Sequence, residues 1–300
     1  MKRKKDILPV LAFIVSTLLG GSNAVAVGFS NQELPPFFGA GIRFTGAVVI
    51  LSLVVLILKL PLPKGRLLAG TLLYGVLQFG ASYALFYWSL IEVPPGLFQV
   101  ILSLVPLFTF FFAIAHGQEQ FQWRILVGAI LAVIGIAIIF NDQIRADVSP
   151  FRVLAIVSAA AFVAEASVII KSFPESHPIT SNMLGMGVGA VMLFAASLVF
   201  GESPAVPEMA TTYLAIGYLI LFGSVSAFVL ILYVLSRWKA SVASYQLVLM
   251  PIVTIILSTW ITGERITAAF LAGGGFVLLG VLIGTVLPDQ ILQKVLTRNK

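Results

Sequence analysis

The chain has 300 residues, of which 59% are hydrophobic and only 10% are charged, whereas roughly 25% are charged in ordinary soluble domains. This composition excludes a water-soluble globular protein, because so few polar residues cannot cover its surface. Apolar runs of about 18 or more residues recur along the chain, and each is long enough to cross a hydrocarbon core of about 30 Å as a helix. We therefore predict an all-α integral membrane protein whose surroundings are the lipid bilayer.

The chain contains no cysteine, which excludes a disulfide framework and a thiolate metal site. No nucleotide-binding loop of the GxxxxGK type occurs, so direct coupling to ATP is not predicted. We expect no cofactor and no bound metal. The net charge of +6 would suggest a nucleic-acid partner in a soluble protein, but an uneven distribution of Lys and Arg across a membrane explains it better.

Loop-forming residues divide the chain into ten predicted spans. The first apolar run follows MKRKKD and continues without a clear cleavage site, so we interpret it as an uncleaved first span. Prolines in the loops suit the first turn of the helix that follows. The predicted spans are 7–29, 36–60, 66–90, 95–115, 121–140, 150–171, 178–200, 211–236, 240–262 and 266–287.

The basic residues orient these spans. With a cytoplasmic N-terminus, fourteen of the 18 Lys and Arg residues fall in inside segments, and Arg43 lies within a span. Only Arg145, Arg152 and Arg265 fall in outside segments. This positive-inside distribution predicts a plasma or inner membrane protein with both termini in the cytoplasm.

A repeated pattern links the two halves of the chain. The stretches LVPLFTFFFAIAHGQE (104–119) and LMPIVTIILSTWITGE (249–264) lie 145 positions apart and place Pro, Thr and Glu at the same spacing. At an offset of 142, Asn23 meets Glu165. Five spans in each half give the halves opposite orientations, which is the inverted-repeat design of secondary transporters. We predict ten transmembrane helices as two inverted five-helix repeats, over 1–145 and 146–300.

The motifs SNAVAVGF and LPPFFGAGIRF, together with HGQEQFQWRILVGAILAVIG and TGERITAAFLAGGGFVLLG, resemble the EamA type of the drug/metabolite transporter superfamily. The resemblance covers nearly the whole chain, and Arg43–Phe44 is among its most specific parts. One departure is Gly185, which stands in the second half where the first half has Arg43. The resemblance implies a ten-helix carrier that usually exports amino acids or other small metabolites.

Polar residues within the spans indicate a central binding site. Three residues of the third span lie close to one helix face at spacings of four. The uncharged groups either line a cavity suited to zwitterionic or apolar metabolites or bond the helices to one another. The candidate substrate-binding residues are Asn23, Tyr74, Gln78, Ser82, Gln99, Glu165, Tyr245 and Gln246.

Arg43 and Glu165 are the clearest ionisable residues embedded in the spans. Arg43 lies roughly 10 Å below the outer end of its helix, so it either snorkels or faces the bundle as a structural, gating or substrate-binding cation. Glu165 lies roughly 22 Å from the outer end by helical rise, and a carboxylate at that depth indicates a functional site. It belongs to the substrate or proton path, or it pairs with a neighbour such as Arg43 or Lys171.

Two repeated pairs are candidates for structural or gating roles. Pro106 and Pro251 lie inside predicted spans, where each kinks its helix for gating or simply to fit the bundle. Glu119 and Glu264 precede the fifth and tenth spans, where a carboxylate favours a helix N-terminus, and a transport role is the alternative. Close helix packing is predicted at Gly128, Gly135, Gly273, Gly280 and Gly284.

The predicted function is a secondary membrane transporter that exports amino acids or similar small metabolites by alternating access. Glu165 decides between a facilitator and a proton antiporter, and the chain acts as a monomer or a homodimer. The alternative is a proton-coupled exporter of multiple drugs or organic cations, which a deep carboxylate among aromatic residues would also serve. An enzyme is not predicted, because His116 and His177 fall near span ends and no HExxH motif occurs.

Overall fold

Helices form the regular structure of the computed structural model, which describes residues 7–143, 148–174, 176–238, 240–243, 246–261, 263 and 267–285. The helices are α1 (Leu8–Ser30), α2 (Pro36–Ile57), α3 (Gly65–Gly75), α4 (Ser82–Ser89), α5 (Pro95–Leu102), α6 (Val105–Ala115), α7 (Trp123–Gln143), α8 (Pro150–Lys171), α9 (Pro178–Val199), α10 (Ala210–Tyr218), α11 (Ala227–Arg237), α12 (Ala240–Ala243), α13 (Gln246–Ile261) and α14 (Ala268–Thr285).

Prolines set where several of these helices begin. α2, α8 and α9 start at Pro36, Pro150 and Pro178, where a missing N–H costs nothing and the fixed φ already suits a helix. The spans predicted from the sequence begin at the same three residues.

Seven helical segments of the described chain are long and apolar enough to cross a membrane, which confirms an all-helical membrane protein. Two further apolar helices, Gln246–Ile261 and Ala268–Gly280, are shorter. The seven segments are Leu8–Ser30, Pro36–Ile57, Gly65–Ser89, Pro95–Ala115, Pro150–Lys171, Pro178–Val199 and Ala210–Arg237.

Two of the long segments contain a π-helical turn. Val76–Ala81 joins α3 to α4, and Leu219–Ser226 joins α10 to α11. Each π-helical segment contains a Phe-Gly pair, at Phe79–Gly80 and at Phe222–Gly223. A π-helical turn shifts the side-chain register and disturbs the regular backbone ladder, which is why such turns are frequent at functional sites.

The segment Pro95–Ala115 consists of two helices rather than one kinked helix. α5 ends at Leu102, and Pro106 lies in the first turn of α6. A helix cannot pass unchanged through this point, because Pro106 has no N–H to donate to the carbonyl group of Leu102. Pro106 lies inside its predicted span, and the helix breaks just before it, whereas Pro251 lies inside the continuous helix α13.

Glycines bring α7 and α14 into close contact. A Cβ atom added to Gly135 would collide with the backbone carbonyl group of Gly273, and one added to Gly280 would collide with that of Gly128. Small residues let helix backbones approach in this way inside a membrane. The close packing predicted at these four glycines is present within a single chain.

Polar contacts join the two halves of the chain at one end of the bundle, which we call the first end. Glu202 accepts hydrogen bonds from the backbone N–H groups of Phe37 (3.1 Å) and Phe38 (2.8 Å) at the start of α2. In return, Glu33 accepts one from Met209 (3.1 Å), just before α10. A carboxylate is favourable at a helix N-terminus, so each half supplies a cap for a helix of the other half.

α8 connects the first end with the opposite end, which we call the second end. Near the start of α8, Arg152 forms an ion pair of 2.9 Å with Glu92. Six residues before its last residue, Oε1 of Glu165 lies 2.8 Å from Nε2 of His116. Both ends are thus held by polar contacts between residues of the two halves.

We expect Gly280→Ala to destabilise the protein by about 1–3 kcal/mol, the usual cost of overpacking, because the added methyl group would press on the backbone of α7. The measurement is unfolding of the purified protein in detergent. Gly275→Ala is the matched control, since it lies on the same helix with no atom within 4 Å of the added Cβ. Equal stability of the two variants would contradict the close contact.

Candidate functional site

A cavity of about 110 Å³ lies between helices of the two halves. Its walls come from α1 to α5, the π-helical segment Val76–Ala81, α8, and α11 to α13. The predicted site residues that line it are Asn23, Arg43, Tyr74, Gln78, Gln99 and Gln246. The structure therefore brings six residues from distant parts of the chain to one space.

Arg43 faces the bundle instead of snorkelling, since only 1% of the residue is exposed. Its Nε donates to Oγ of Ser224 at 2.7 Å, and its Nη2 donates to the carbonyl group of Gly223 at 2.8 Å. The ring of Tyr83 lies 5.1 Å from the guanidinium carbon, within the range of a cation–π contact. The acceptors are neutral, so the positive charge of Arg43 has no counter-ion among them.

Gly185, which the offset of 142 predicts as the counterpart of Arg43, lies where α3 and α9 pack closely. A Cβ atom added to Gly75 would lie 2.7 Å from the Cα atom of Gly185. α3 and α9 are too close there for a long side chain at that contact. The two halves therefore line the cavity with different chemistry.

Within the part of the chain that the structure describes, four buried polar atoms of the cavity residues have no hydrogen-bond partner. They include Nη1 of Arg43, although Tyr87 lies beside the guanidinium. A buried polar group without a partner costs about 1–3 kcal/mol, so such groups at a cavity are suited to bond a bound molecule. The four atoms are Arg43 Nη1, Gln99 Nε2, Tyr87 Oη and Asn23 Oδ1.

Other polar atoms of the cavity are engaged between helices. Nδ2 of Asn23 donates to the carbonyl group of Gly223 at 3.2 Å, and Oε1 of Gln246 accepts a hydrogen bond of 2.8 Å from Ser16. These contacts join α1 to the second half of the chain. Interhelical bonding and cavity lining, which the sequence left as alternatives, thus occur in the same residues.

Aromatic residues that the sequence analysis did not single out form much of the apolar wall. Tyr83 and Tyr87 lie one helical turn apart on α4, and this spacing was the signal available in the sequence. Phe86, Phe98 and Phe228 complete the aromatic lining. The cavity therefore combines a few polar atoms with an apolar, aromatic surround, as small-molecule sites do.

Ser82 does not line the cavity, although Tyr74 and Gln78 do. Its hydroxyl group donates to the backbone carbonyl group of Gln78. The spacing of four that predicted a common face holds only in a regular helix, and the π-helical segment Val76–Ala81 changes the register just before Ser82. The prediction of Ser82 as a cavity residue is therefore corrected.

Glu165 is not among the cavity residues either, and it pairs with neither Arg43 nor Lys171. Val163 and Ser167 of α8 line the cavity, and a residue midway between them points about 160–200° away. Glu165 therefore faces α6, where its partner is His116, and the two side chains are 22% and 38% exposed. From the sequence, His116 is recognisable only as a histidine near a span end.

The remaining candidates lie outside the cavity or outside the described residues. Glu119 is in the turn before α7, and the first turn of α7 contains no acidic residue. Glu119 lies before this helix, as predicted, and four residues from its first residue, Trp123, so its contact with the helix N-terminus stays a prediction. Tyr245 and Glu264 lie outside the described residues.

Comparison with protein families gives two matches along the chain. The model described as the EamA-like transporter family matches residues 7–141 and again residues 150–286. A solved crystal structure shares the fold with a TM-score of 0.69 at 16% identity, over 94% of this chain and 98% of its own.

Curated relatives of similar length are named as transporters. The uncharacterized inner membrane transporter YedA of Escherichia coli K12 is 25% identical, over 94% of this chain and 92% of its own. A "probable amino-acid metabolite efflux pump" of the same strain is 22% identical over 94% and 95%. A "probable terminal-alkyne amino-acid exporter" of Streptantibioticus cattleyicolor is 23% identical over 94% of each chain.

The lack of native cysteine allows a direct test of the cavity by thiol labelling. Gln99 and Ser82 are similarly buried, at 2% and 0% exposure, but only Gln99 lines the cavity. We expect Gln99→Cys to react with a small, membrane-impermeant thiol reagent in liposomes and Ser82→Cys to remain unlabelled, as measured by mass spectrometry. Equal labelling of the two variants would show that the cavity is placed wrongly.

Proposed function

The chain belongs to the EamA-like transporter family, and we propose that it is a secondary carrier that exports amino acids or similar small metabolites by alternating access. The observation that carries this proposal is the cavity between the two halves, where Arg43, Asn23 and Gln99 present polar atoms without partners. Two relatives whose names refer to amino-acid export support the substrate class.

We propose that the chain forms ten transmembrane helices in two inverted repeats. An offset of 145 relates Gly128 to Gly273 and Gly135 to Gly280. The contacts run from Gly135 to Gly273 and from Gly280 to Gly128, so exchanging the two halves leaves the set of contacts unchanged. Such self-complementary contacts are what a two-fold axis produces. Two further observations support the repeat. The third predicted span of each half contains a π-helical segment, and the family model matches the chain twice.

The distribution of Lys and Arg supports an orientation with both termini in the cytoplasm. The first end, with Glu33 and Glu202, then faces outward, and the second end, with His116 and Glu165, faces the cytoplasm. Helix caps supplied by the opposite half at the first end would separate when the outer side opens. Alternating access requires contacts of this kind that form and break as the halves rock about a central site.

An exporter of organic cations finds less support. That alternative relied on a deep carboxylate, and no Asp or Glu is among the cavity residues that the structure describes. The charge in the described lining comes from Arg43, which would repel a cation from a site of low polarity. A neutral zwitterion with a carboxylate group is the better match.

We propose that Glu165 stabilises the closed second end and does not carry a coupling proton to the substrate. Its carboxylate group faces His116 and not the cavity, so protonation of Glu165 would not directly change the charge of the binding site. On this proposal the protein is a facilitator, and the outward gradient of the metabolite drives export.

Counterflow in liposomes tests the carrier function. Purified protein is expected to exchange labelled leucine or phenylalanine with saturable kinetics, without a requirement for a pH gradient. Glu165→Gln is expected to keep this exchange within about tenfold of the unaltered protein, because only one hydrogen bond of the second end, worth about 0.5–1.5 kcal/mol, is changed.

Two outcomes contradict these expectations in different ways. Accumulation driven by a pH gradient and abolished in Glu165→Gln would place Glu165 on a proton path. If liposomes with folded, inserted protein exchange none of a panel of amino acids, a purine and an organic cation, the carrier proposal is wrong.

A further inference from the structure

We infer that the cavity recognises its substrate by the carboxylate group, through Arg43 and Gln99, and that its substrates are small monocarboxylates with an apolar body, amino acids among them. This inference rests on the proposed carrier function and adds the chemistry that selects the substrate. It predicts which part of an amino acid the protein requires.

The charge of the cavity favours an anionic group of the substrate. A guanidinium group stays protonated under all ordinary conditions, and Arg43 is the charged residue among the described residues of the lining. Its hydrogen bonds go to a serine hydroxyl group and a peptide carbonyl group, and the neutral side chain of Tyr87 lies beside it. A buried cation without a counter-ion is costly, so an anionic group of the substrate would be strongly favoured beside it.

The chemical type of the unpartnered atoms also favours a carboxylate group. Nη1 of Arg43 and Nε2 of Gln99 are both buried donors without an acceptor among the described residues. A carboxylate group offers acceptors only, and a hydrogen bond between it and a guanidinium group is of the strong, charge-assisted kind. An ammonium group, which has donors only, could satisfy neither atom.

Asn23 offers a contact for the ammonium group of an amino acid. Asn23 and Arg43 both donate to the carbonyl group of Gly223, which places the two side chains next to each other. Oδ1 of Asn23 is an acceptor without a partner. It can accept a hydrogen bond from an α-ammonium group, but because Asn23 is neutral, this contact contributes less than the one made by Arg43.

The apolar wall of the cavity favours an apolar body in the rest of the substrate. The wall around the polar atoms is formed by Tyr83, Phe86, Phe98, Phe228, Leu232 and Met250. Burial against such side chains favours an aliphatic or aromatic body and disfavours a second charge. A dicarboxylate or a phosphate dianion would bring more negative charge than one guanidinium group compensates.

The experiment compares three compounds that share one apolar body: leucine, its des-amino analogue isocaproate and its decarboxylated analogue isoamylamine. Each competes against labelled leucine in counterflow, and each is also tested for a shift of the melting temperature of the protein in detergent. We expect isocaproate to compete within about tenfold of leucine, and isoamylamine to compete about tenfold to a hundredfold more weakly, as expected for loss of a charge-assisted hydrogen bond.

Variants of Arg43 and Gln99 test whether these two donors bind the carboxylate group. Arg43→Gln is expected to lose leucine binding in both assays, and Gln99→Leu, which leaves the Arg43 contacts in place, to weaken it about threefold to tenfold. Gln99→Glu is expected to shift the preference from leucine towards isoamylamine. Ser82→Ala is the matched control, since it changes a buried polar residue outside the cavity and should not alter binding.

The outcomes separate this inference from the carrier function. If exchange occurs and isoamylamine competes as well as leucine, or if Gln99→Leu and Gln99→Glu bind both compounds as the unaltered protein does, carboxylate recognition is wrong and the carrier function stands. If leucine and isocaproate raise the melting temperature but nothing is exchanged, recognition stands and the carrier function is wrong. If no compound is exchanged or bound, both are wrong.

Discussion

A guanidinium group buried within a membrane protein must find its hydrogen-bond acceptors in the protein, because lipid supplies none. Arg43 finds them in the π-helical segment Leu219–Ser226, at the carbonyl group of Gly223 and the hydroxyl group of Ser224. In a regular helix the N–H group of Ala227 would donate to that carbonyl group, whereas here it donates to the carbonyl group of Phe222. The irregular turn thus meets the arginine, and the side chain of Arg43 lines the cavity.

The remaining helices divide into a scaffold and a lining. α7 and α14 approach each other through glycines, and none of their described residues lines the cavity. Mostly apolar helices with small residues at the contact suit close packing, which is the main source of helix association where lipid is as apolar as the side chains. The helices that form the cavity walls carry the breaks and the polar residues, and these features make them suited to change contacts during transport.

The corrections to the sequence-based predictions concern the direction in which a side chain points around its helix. Ser82 was placed by counting along a regular helix, and the π-helical segment before it shifted the register. Glu165 was judged by its depth, but depth does not give the direction of a side chain around the helix. Glu165 and His116 are 49 positions apart, and no local pattern predicts that they meet. Pro106 lies inside its predicted span, which divides there into two shorter helices, because Pro106 has no N–H group to donate to the carbonyl group of Leu102.

Composition and the length of the hydrophobic runs by themselves determined that this protein is helical and spans a membrane. Each segment that crosses a bilayer must be long and apolar and must satisfy its own backbone hydrogen bonds, so these features can be recognised one segment at a time. Proline positions determined where several helices begin, and six of the residues that line the cavity were identified from the polar residues within the predicted spans. Only the tertiary structure decided which polar atoms converge without partners and that Arg43, not Glu165, supplies the charge. That decision required contacts such as the one between Arg43 and Ser224, 181 positions apart, which depend on how the two halves pack and not on any local sequence pattern.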